Sequence, residues 1–169
     1  ALITMPITEK ATRNRTAIFG GTFDPPHIGH MHIFHEVAEL TPFNGLLVMP
    51  ARISNFKQGT EPASFADRIR MVGLLAEDYR ASYPDDDLSI TVSDWEGMRS
   101  GISYTSDTIR HFFDELSFDG KVDFIIGDDH LSKLSGWHDF GYLSSHVRFW
   151  CFTRDGEVVN DTDAEVIFM

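Results

Sequence analysis

The stretch that decides the fold reads Thr16-Ala17-Ile18-Phe19-Gly20-Gly21-Thr22-Phe23-Asp24-Pro25-Pro26-His27-Ile28-Gly29-His30. Its first four residues favour a short β-strand, which ends on the pair of glycines. Beyond His30 the pattern becomes helical, since apolar residues recur at the spacing of one helix face. These residues are Ile33, Phe34, Val37 and Ala38. The sequence therefore predicts a strand, a glycine-containing loop and a helix in direct succession.

Strands and helices alternate along the rest of the chain. The predicted strands are residues 16–19, 46–49, 88–92, 122–126, 147–152 and 164–168. The predicted helices are about 30–40, 64–79 and 105–116, with a weak fourth signal at 131–134, and Thr105 or Ser106 is the expected cap of the third. Strands that are apolar on both faces and alternate with helices predict an α/β fold. We expect a single-domain Rossmann-like parallel sheet of five to six strands with helices on both faces.

The composition limits the function. The chain has 169 residues, with 14 Lys and Arg against 26 Asp and Glu, so the formal net charge is −12. This charge argues against nucleic acid or an anionic membrane as a partner, and no apolar run approaches the ~20 residues of a membrane span. Cytoplasm is the predicted location, and the sequence does not determine the oligomeric state. A small anionic ligand would need local positive potential from backbone amides, helix N-termini, a metal ion or a few cations.

Four further predictions concern the N-terminal residues, isolated side chains and one acidic segment. Residues 1–15 are polar and are predicted to be an N-terminal leader or tag remnant that precedes a domain over residues 16–169. Cys151 lies in an apolar run and is predicted to be a buried thiol rather than a nucleophile. His32 and His35 fall off the apolar helix face and are predicted to lie on the surface, and residues 85–87 are predicted to be a solvated acidic loop.

The loop after the first strand contains residues that are suited to bind an anionic ligand. Gly20 and Gly21 permit close backbone approach, and the amides of the loop and first helical turn can bind an anion, which the helix dipole favours. His27 and His30 are separated by Ile28-Gly29, so two imidazoles can donate hydrogen bonds to one phosphate. The alternatives are a structural turn, histidines with internal partners, or a metal site. The spacing is weak for metal ligands, because no carboxylate or cysteine pattern accompanies it.

The loop from Gly20 to His30 resembles the signature of the nucleotidyltransferase superfamily that carries a His-x-Gly-His motif. Further blocks resemble its bacterial nicotinate-nucleotide adenylyltransferase branch. They are residues 50–57 with the lysine-bearing loop, residues 64–68, Ser103-Tyr104-Thr105 with Asp107-Thr108-Ile109, and Phe124-Ile125-Ile126-Gly127-Asp128-Asp129 followed by Leu131 and Trp137. The Ser-Tyr-Thr and Gly-x-Asp blocks favour the nicotinate branch within the superfamily.

The resemblance implies an activity. AMP is transferred from ATP to nicotinate mononucleotide, which gives deamido-NAD and pyrophosphate in NAD biosynthesis. The attack is in line and forms no covalent intermediate. Mg²⁺ is held mainly by phosphate oxygens and water, and no protein side chain is expected as a metal ligand. The attacking phosphate oxygen is already ionised, so no general base is required, and the demand is for positioning and charge stabilisation.

The resemblance also implies the site residues. The catalytic residues are His27, His30 and Lys57. The ATP-binding residues are Gly20, Gly21, Thr22, Phe23, His27, His30, Gly127 and Asp129. The residues that bind the second substrate are Thr22, Lys57, Tyr104, Thr105, Trp137 and His138, with Trp137 on the pyridine ring and backbone amides near Thr105 and His138 on the nicotinate carboxylate. Trp137 as a core residue and Asp129 as a surface residue are the structural alternatives.

Two other functions remain open from the sequence. One is another transferase of the superfamily, with a phosphopantetheine or nicotinamide mononucleotide substrate. The other is a non-catalytic nucleotide-binding protein. The family follows its last strand with a Ser-Ser-Thr-x-Ile-Arg type segment that binds the β- and γ-phosphates, and we expect the domain over residues 16–169 to lack this segment.

Overall fold

The structure is a computed structural model that describes residues 14–52, 63–99, 104–153 and 159–169. Its strands are β1 (Thr16–Gly21), β2 (Gly45–Pro50), β3 (Ser89–Val92), β4 (Ser117–Phe118), β5 (Lys121–Gly127), β6 (Val147–Phe152) and β7 (Glu165–Phe168). Its α-helices are α1 (Ile28–Leu40), α2 (Phe65–Ser82), α3 (Thr105–Leu116), α4 (Asp128–Leu131) and α5 (Phe140–His146). Short 3₁₀ helices cover Trp95–Met98 and Leu134–Gly136.

The strands form a sheet with the order β3-β2-β1-β5-β6-β7, and β4 pairs with β5 off this path. The pairs β2/β3, β1/β5, β5/β6 and β6/β7 are parallel, whereas β4/β5 is antiparallel. The predicted α/β fold with a parallel sheet is therefore confirmed. The described chain divides into two compact units, the first with residues up to 16 and from 21 to 99, the second with residues 17–20 and those from 104 onwards.

The first unit has an apolar core formed by one face of each long helix and by β2. The predicted α1 face is confirmed, because Ile33, Phe34 and Val37 are buried. Phe34 packs edge-on against Tyr79 of α2, with ring centroids 5.6 Å apart. Burial of these large side chains is the main favourable term in the packing of the two helices.

The second unit has a core built on β5 and β6, which are buried along nearly their whole length. One charge lies inside it, since Asp123 of β5 is fully buried. Its carboxylate accepts hydrogen bonds from Arg148 Nη1 at 3.0 Å and from Trp150 Nε1 at 2.8 Å. A buried carboxylate is tolerated when it is paired and hydrogen-bonded in this way.

Two elements of this unit were missed by the sequence prediction. Helix α5 follows its N-cap residue Asp139, whose backbone is left-handed, and contains Gly141, Ser144 and Ser145, which are weak helix formers. Strand β4 has two residues and pairs with β5 across the turn Asp119-Gly120, where both residues have positive φ. Asp-Gly is a hairpin signal that was present in the sequence. Over the part of the chain that the structure describes, the sheet consequently has seven strands rather than five to six.

The predicted cap of α3 was also wrong. The helix starts at Thr105 and its N-cap residue is Tyr104, with no side-chain cap hydrogen bond among the described residues. Ser106 is fully buried, because it faces inwards from the first turn with Thr108 and Ile109. A buried position in the first turn explains why the Ser106 hydroxyl does not act as the cap.

The prediction that His35 and the acidic loop are simply solvated was wrong. His35 Nδ1 lies 2.8 Å from Asp86 Oδ2, and the imidazole stacks on the Tyr83 ring at 4.1 Å. The same carboxylate oxygen accepts a hydrogen bond from the Tyr79 hydroxyl at 2.6 Å. Burial, together with this bond, raises the pKa of Tyr79 above its usual value. These contacts connect α1 to the segment that follows α2.

The structure bears on two further predictions. Among the described residues, no helix is both long enough and apolar enough to cross a membrane. Cys151 of β6 is fully buried, as predicted. Burial, with a smaller contribution from Asp128 and Asp129, raises the pKa of its thiol to about 11.

We expect Cys151 to be inert in the folded protein. At pH 8 a thiol with this pKa is about one part in a thousand thiolate, and the thiolate is the reactive form. Modification by 5,5′-dithiobis(2-nitrobenzoate) should be at least about a hundredfold slower in buffer than in 6 M guanidinium chloride. Because Cys151 is the one cysteine in the sequence, the absorbance change reports this residue alone. Stoichiometric labelling within seconds in buffer would contradict the burial.

Candidate active site

The loop between β1 and α1 is held in a compact turn by Phe23. This residue has a positive φ of 50° and a buried ring that packs against His30, with centroids 4.9 Å apart. A Cβ atom on Gly21 would lie 3.1 Å from the Phe23 ring, closer than most such contacts. Gly21 is therefore needed because the aromatic ring folds back over the end of the strand.

His27 and His30 form a reciprocal capping arrangement at the start of α1. The backbone N–H of Gly29 donates to His27 Nδ1 at 3.0 Å, and the backbone N–H of His27 donates to His30 Nδ1 at 3.0 Å. His27 is the N-cap residue, a position that Ser, Thr, Asp or Asn usually occupies. Here the imidazoles satisfy backbone donors that the helix itself leaves without partners.

These two hydrogen bonds fix the tautomer of both rings. An Nδ1 atom that accepts a hydrogen bond carries no proton, so the proton of a neutral imidazole must lie on Nε2. The ring centroids of His27 and His30 are 4.0 Å apart and the rings are tilted by 33°. Two neighbouring rings thus carry their protons on Nε2 at a helix N-terminus, a position that favours an anionic oxygen ligand.

Gly29 leaves the space that the His27 ring occupies. A Cβ atom at this position would lie 2.7 Å from His27 Cε1 and 2.8 Å from His27 Nδ1, well inside ordinary contact. A side chain at this position would therefore require the His27 ring to move.

Arg68 was missed by the sequence analysis, although it organises the same part of the first unit. Its side chain is almost completely buried. It donates to the carbonyl oxygens of Thr22 (2.9 Å), Ala51 (2.6 Å), Arg52 (2.8 Å) and Ala63 (3.3 Å). The guanidinium thereby connects the loop after β1, the segment after β2 and the start of α2.

Asp24 supports this arrangement from the same loop. Its carboxylate accepts a hydrogen bond from the backbone N–H of Ala63 at 3.2 Å. Burial lowers the pKa of Arg68, and the charge of Asp24 partly offsets this effect. The signal that could have revealed Arg68 is its place on the buried face of α2, in line with Val72 and Ala76.

Lys57, predicted as a catalytic and substrate-binding residue, lies outside the described residues, as does Ser103 of the Ser-Tyr-Thr block. The role assigned to Lys57 therefore stays a prediction.

In the second unit, Gly20 and Gly127 lie at the carboxyl ends of neighbouring parallel strands. Phe19 pairs with Ile125 in the β1/β5 register, so Gly20 follows that pair directly and Gly127 lies two residues beyond Ile125. A Cβ atom on Gly127 would lie 2.7 Å from Asp129 Oδ1, which shows that the exposed Asp129 carboxylate folds back over the end of β5. The strand order reverses beside β1, and ligands of open α/β sheets bind at the carboxyl ends of strands where this happens.

Trp137 follows the 3₁₀ turn Leu134–Gly136 and is half-buried. Its ring makes edge contacts with Phe124 (6.3 Å), Phe149 (6.1 Å) and His130 (6.1 Å). The tryptophan is therefore neither a fully buried core residue nor a free surface side chain. Contacts to three aromatic rings fix the orientation of the indole.

Tyr104, Thr105 and His138 are brought together in this unit. The Tyr104 and His138 rings stack with centroids 3.9 Å apart and an interplanar angle of 17°. Thr105 is the first residue of α3, where the backbone amides lack partners within the helix. The predicted neighbours of a nicotinate carboxylate thus share one region of the second unit.

The fold defines a Rossmann-like α/β protein in which a glycine-containing loop and a histidine-capped helix follow the first strand. The family model described as cytidylyltransferase-like matches residues 18–169, and the chain belongs to this family.

Curated relatives include three bacterial proteins named "Probable nicotinate-nucleotide adenylyltransferase". The protein of Treponema pallidum is 32% identical over 137 residues, which cover 80% of this chain and 63% of that protein. The protein of Listeria innocua is 34% identical over 81% of this chain and 68% of its own length. The protein of Geobacter sulfurreducens is 36% identical over 87% of this chain and 64% of its own length. The chain thus spans about two thirds of the length of these relatives, and slightly less in two of them.

Among solved structures, Plasmodium falciparum nicotinic acid mononucleotide adenylyltransferase complexed with NaAD matches with a TM-score of 0.71. The match covers 93% of this chain and 75% of that chain at 18% identity. At 18% identity this structural similarity shows the fold alone, and that fold agrees with the predicted Rossmann-like architecture.

We predict that Arg68→Met lowers the free energy of unfolding by about 3 kcal/mol, because it removes a buried cation and leaves several carbonyl groups without a donor. Urea denaturation followed by circular dichroism measures this difference. Arg70→Met, on the exposed face of the same helix, is the matched control and should change stability by less than about 0.5 kcal/mol. Equal changes in the free energy of unfolding for the two variants would show that the Arg68 hydrogen bonds do not stabilise the fold.

Proposed function

We propose that the protein transfers AMP from ATP to nicotinate mononucleotide, giving deamido-NAD and pyrophosphate as a step of NAD biosynthesis. The observation that carries the proposal is the pair of Nδ1 hydrogen bonds at His27 and His30, which places the proton of each neutral imidazole on Nε2 at the N-terminus of α1. The names of the bacterial relatives support the choice of substrates.

In the proposed step, a phosphate oxygen of nicotinate mononucleotide attacks the α-phosphorus of ATP. The new P–O bond forms as the bond from the α-phosphorus to the bridging oxygen breaks, and its electron pair leaves on pyrophosphate. No proton has to be moved, because the attacking oxygen is already ionised near neutral pH. The protein contributes alignment of the two nucleotides and stabilisation of the charge on the transferred phosphoryl group.

His27 and His30 are assigned to the phosphates of ATP, with His30 at the α-phosphate. Neutral Nε2–H donors of fixed direction require little reorganisation as charge develops, which is the condition for strong electrostatic stabilisation. The backbone of Gly20, Gly21, Thr22 and Phe23 is assigned to contacts with both nucleotides. Lys57 is assigned to the phosphates on the resemblance alone.

The second unit supplies the assignments for the bases and sugars. Trp137, with an orientation fixed by its aromatic neighbours, is assigned to stack on the pyridine ring. Backbone amides near Thr105 and His138 are assigned to the nicotinate carboxylate, and Tyr104 supports them through its stack on His138. Gly127 and Asp129 are assigned to adenosine, where the carboxylate can accept hydrogen bonds from ribose hydroxyl groups.

The residues fit a magnesium ion that is bound mainly by the phosphates of ATP. Asp24 is the acidic residue of the loop after β1, and its carboxylate is directed to the Ala63 amide and lies beside Arg68. Mg²⁺ commonly keeps several waters and uses substrate phosphates rather than an all-protein cage. When bound, the ion neutralises charge on the phosphates and on the leaving pyrophosphate.

The proposal predicts pyrophosphate release with ATP, Mg²⁺ and nicotinate mononucleotide. A coupled pyrophosphate assay on the full chain measures turnover, and parallel reactions contain nicotinamide mononucleotide or phosphopantetheine. Turnover should be fastest with the nicotinate form. Faster turnover with another acceptor would assign a different transferase activity. ATP binding without pyrophosphate release from any acceptor would indicate a nucleotide-binding protein instead.

We predict that Gly29→Ala lowers kcat/KM about 10- to 100-fold, because the added methyl group displaces the His27 ring and small misplacements of a catalytic group are costly. Gly73→Ala is the control, since a Cβ atom there meets nothing within 4 Å. The control should keep full activity and gain about 0.5–1 kcal/mol in stability, as alanine is favoured over glycine inside helices. Normal turnover of a folded Gly29→Ala variant would remove His27 from the mechanism.

A further inference from the structure

Asp139 has an unusual backbone next to two predicted substrate-binding residues. It follows Trp137 and His138 directly and has φ 55° and ψ 46°, in the left-handed region. This conformation is uncommon for residues other than glycine, although Asp tolerates it better than most. The orientation of the peptide plane between His138 and Asp139 depends on the maintenance of this conformation.

The side chain of Arg110 in α3 binds the side chain of Asp139. Arg110 Nη2 donates a hydrogen bond to Asp139 Oδ2. The same guanidinium lies 4.1 Å from the centroid of the Tyr142 ring in α5, a cation–π contact. The hydrogen bond from Arg110 lowers the pKa of the Asp139 carboxyl, so this group is charged and paired at neutral pH.

A second contact joins α3 to the same segment. Tyr104, the N-cap residue of α3, stacks on the His138 ring at 3.9 Å. Residues 104 and 110 are about 9 Å apart along a helix axis, at 1.5 Å per residue. The segment from Trp137 to Asp139 is therefore attached to α3 at two separate points, one at His138 and one at Asp139.

We propose that Arg110 is a positioning residue that sets the preference for a nicotinate carboxylate over a nicotinamide carboxamide. The inference rests on the proposed function, and it adds a residue that touches neither nucleotide. Arg110 keeps Asp139 left-handed, and this fixes the peptide plane between His138 and Asp139, which carries the Asp139 N–H, relative to the amides at the start of α3. Two aligned N–H donors accept a carboxylate, whereas the NH₂ group of a carboxamide would oppose one donor with another.

The physical consequence of losing Arg110 is a change in selectivity rather than a loss of the fold. The Arg110 side chain is 44% exposed and that of Asp139 is 39% exposed, so substitution leaves no buried charge without a partner. Without the ion pair, Asp139 is released towards the ordinary backbone regions, and the peptide plane that carries the Asp139 N–H turns away from the nicotinate carboxylate. Nicotinamide mononucleotide loses less affinity, because two N–H donors bind its carboxamide poorly in the unmodified protein.

The experiment compares kcat and KM for nicotinate and nicotinamide mononucleotide in Arg110→Ala, Asp139→Ala and Asp139→Gly. Selectivity is the kcat/KM for nicotinate mononucleotide divided by that for nicotinamide mononucleotide. We expect Arg110→Ala and Asp139→Ala to reduce this ratio about tenfold, because each variant loses one well-aligned hydrogen bond to a charged group. The change should lie in KM for the nicotinate form, with KM for ATP unaltered. Asp139→Gly should keep most of the selectivity, because glycine adopts positive φ without the ion pair.

Lys121→Ala is the matched control. It breaks an exposed ion pair of the same unit, Lys121 with Glu165 at 2.9 Å, and should leave the selectivity unchanged. Thermal unfolding of every variant checks that the fold is retained. An unchanged ratio in folded Arg110→Ala, or an equal loss in Lys121→Ala, would overturn the proposal.

A binding measurement separates this proposal from the proposed function. Calorimetric titration of the full chain with each mononucleotide, without turnover, gives the same selectivity as a ratio of Kd values. Absence of turnover in the unmodified protein would reject the transferase activity, while a tighter Kd for the nicotinate form that Arg110→Ala abolishes would still support the role of Arg110. Equal Kd values for the two mononucleotides in the unmodified protein would reject the positioning role.

Discussion

The chemistry of the first unit depends on two hydrogen bonds in which backbone amides donate to the Nδ1 atoms of His27 and His30. They satisfy donors at the start of α1, and they also determine which nitrogen of each ring carries the proton. Capping by an aspartate would satisfy the same donors but would place a negative charge where an anion is to bind. Histidine caps the helix without that charge and keeps an N–H group for a ligand.

This arrangement explains how a chain with a net charge of −12 can be proposed to bind two anionic nucleotides. The long-range field of the protein repels such ligands, and in water at physiological ionic strength it is screened beyond about 8 Å. Within hydrogen-bonding distance the local dipoles dominate. The amides of the loop, the start of α1 and the two imidazoles supply them without any formal positive charge.

Elements with strong periodicity could be predicted from the sequence, whereas those that depend on tertiary contacts could not. The spacing of Ile33, Phe34 and Val37 placed α1 within two residues of its observed start, and all three side chains are buried. Helix α5 has no comparable pattern, because Gly141, Ser144 and Ser145 interrupt it. Its formation depends on contacts such as that between Arg110 and Tyr142, which no local pattern reveals.

The residues of the candidate site divide in the same way. The motif indicated His27, Gly29 and His30, because their chemistry follows from residue type and spacing. Arg68 was missed because an arginine in a helix is usually exposed. His35 was assigned to the surface for the same kind of reason, yet it bonds Asp86, which lies 51 residues further along the chain. Long-range partners of charged side chains are a property of the fold and are not encoded by local sequence.

Arg68 and Arg110 illustrate two physical ways to fix a loop. Arg68 is buried and donates its hydrogen bonds to backbone carbonyls of the described residues, so the loops it connects depend on it regardless of their side chains. Arg110 is exposed and contacts the carboxylates of Asp139 and Asp107 and the face of the Tyr142 ring, so its effect depends on the identity of its partners. A buried arginine of the first kind contributes mainly to stability, because its loss leaves polar groups unsatisfied. An exposed one of the second kind contributes little to stability, and its effect is therefore expected in the local geometry that it maintains.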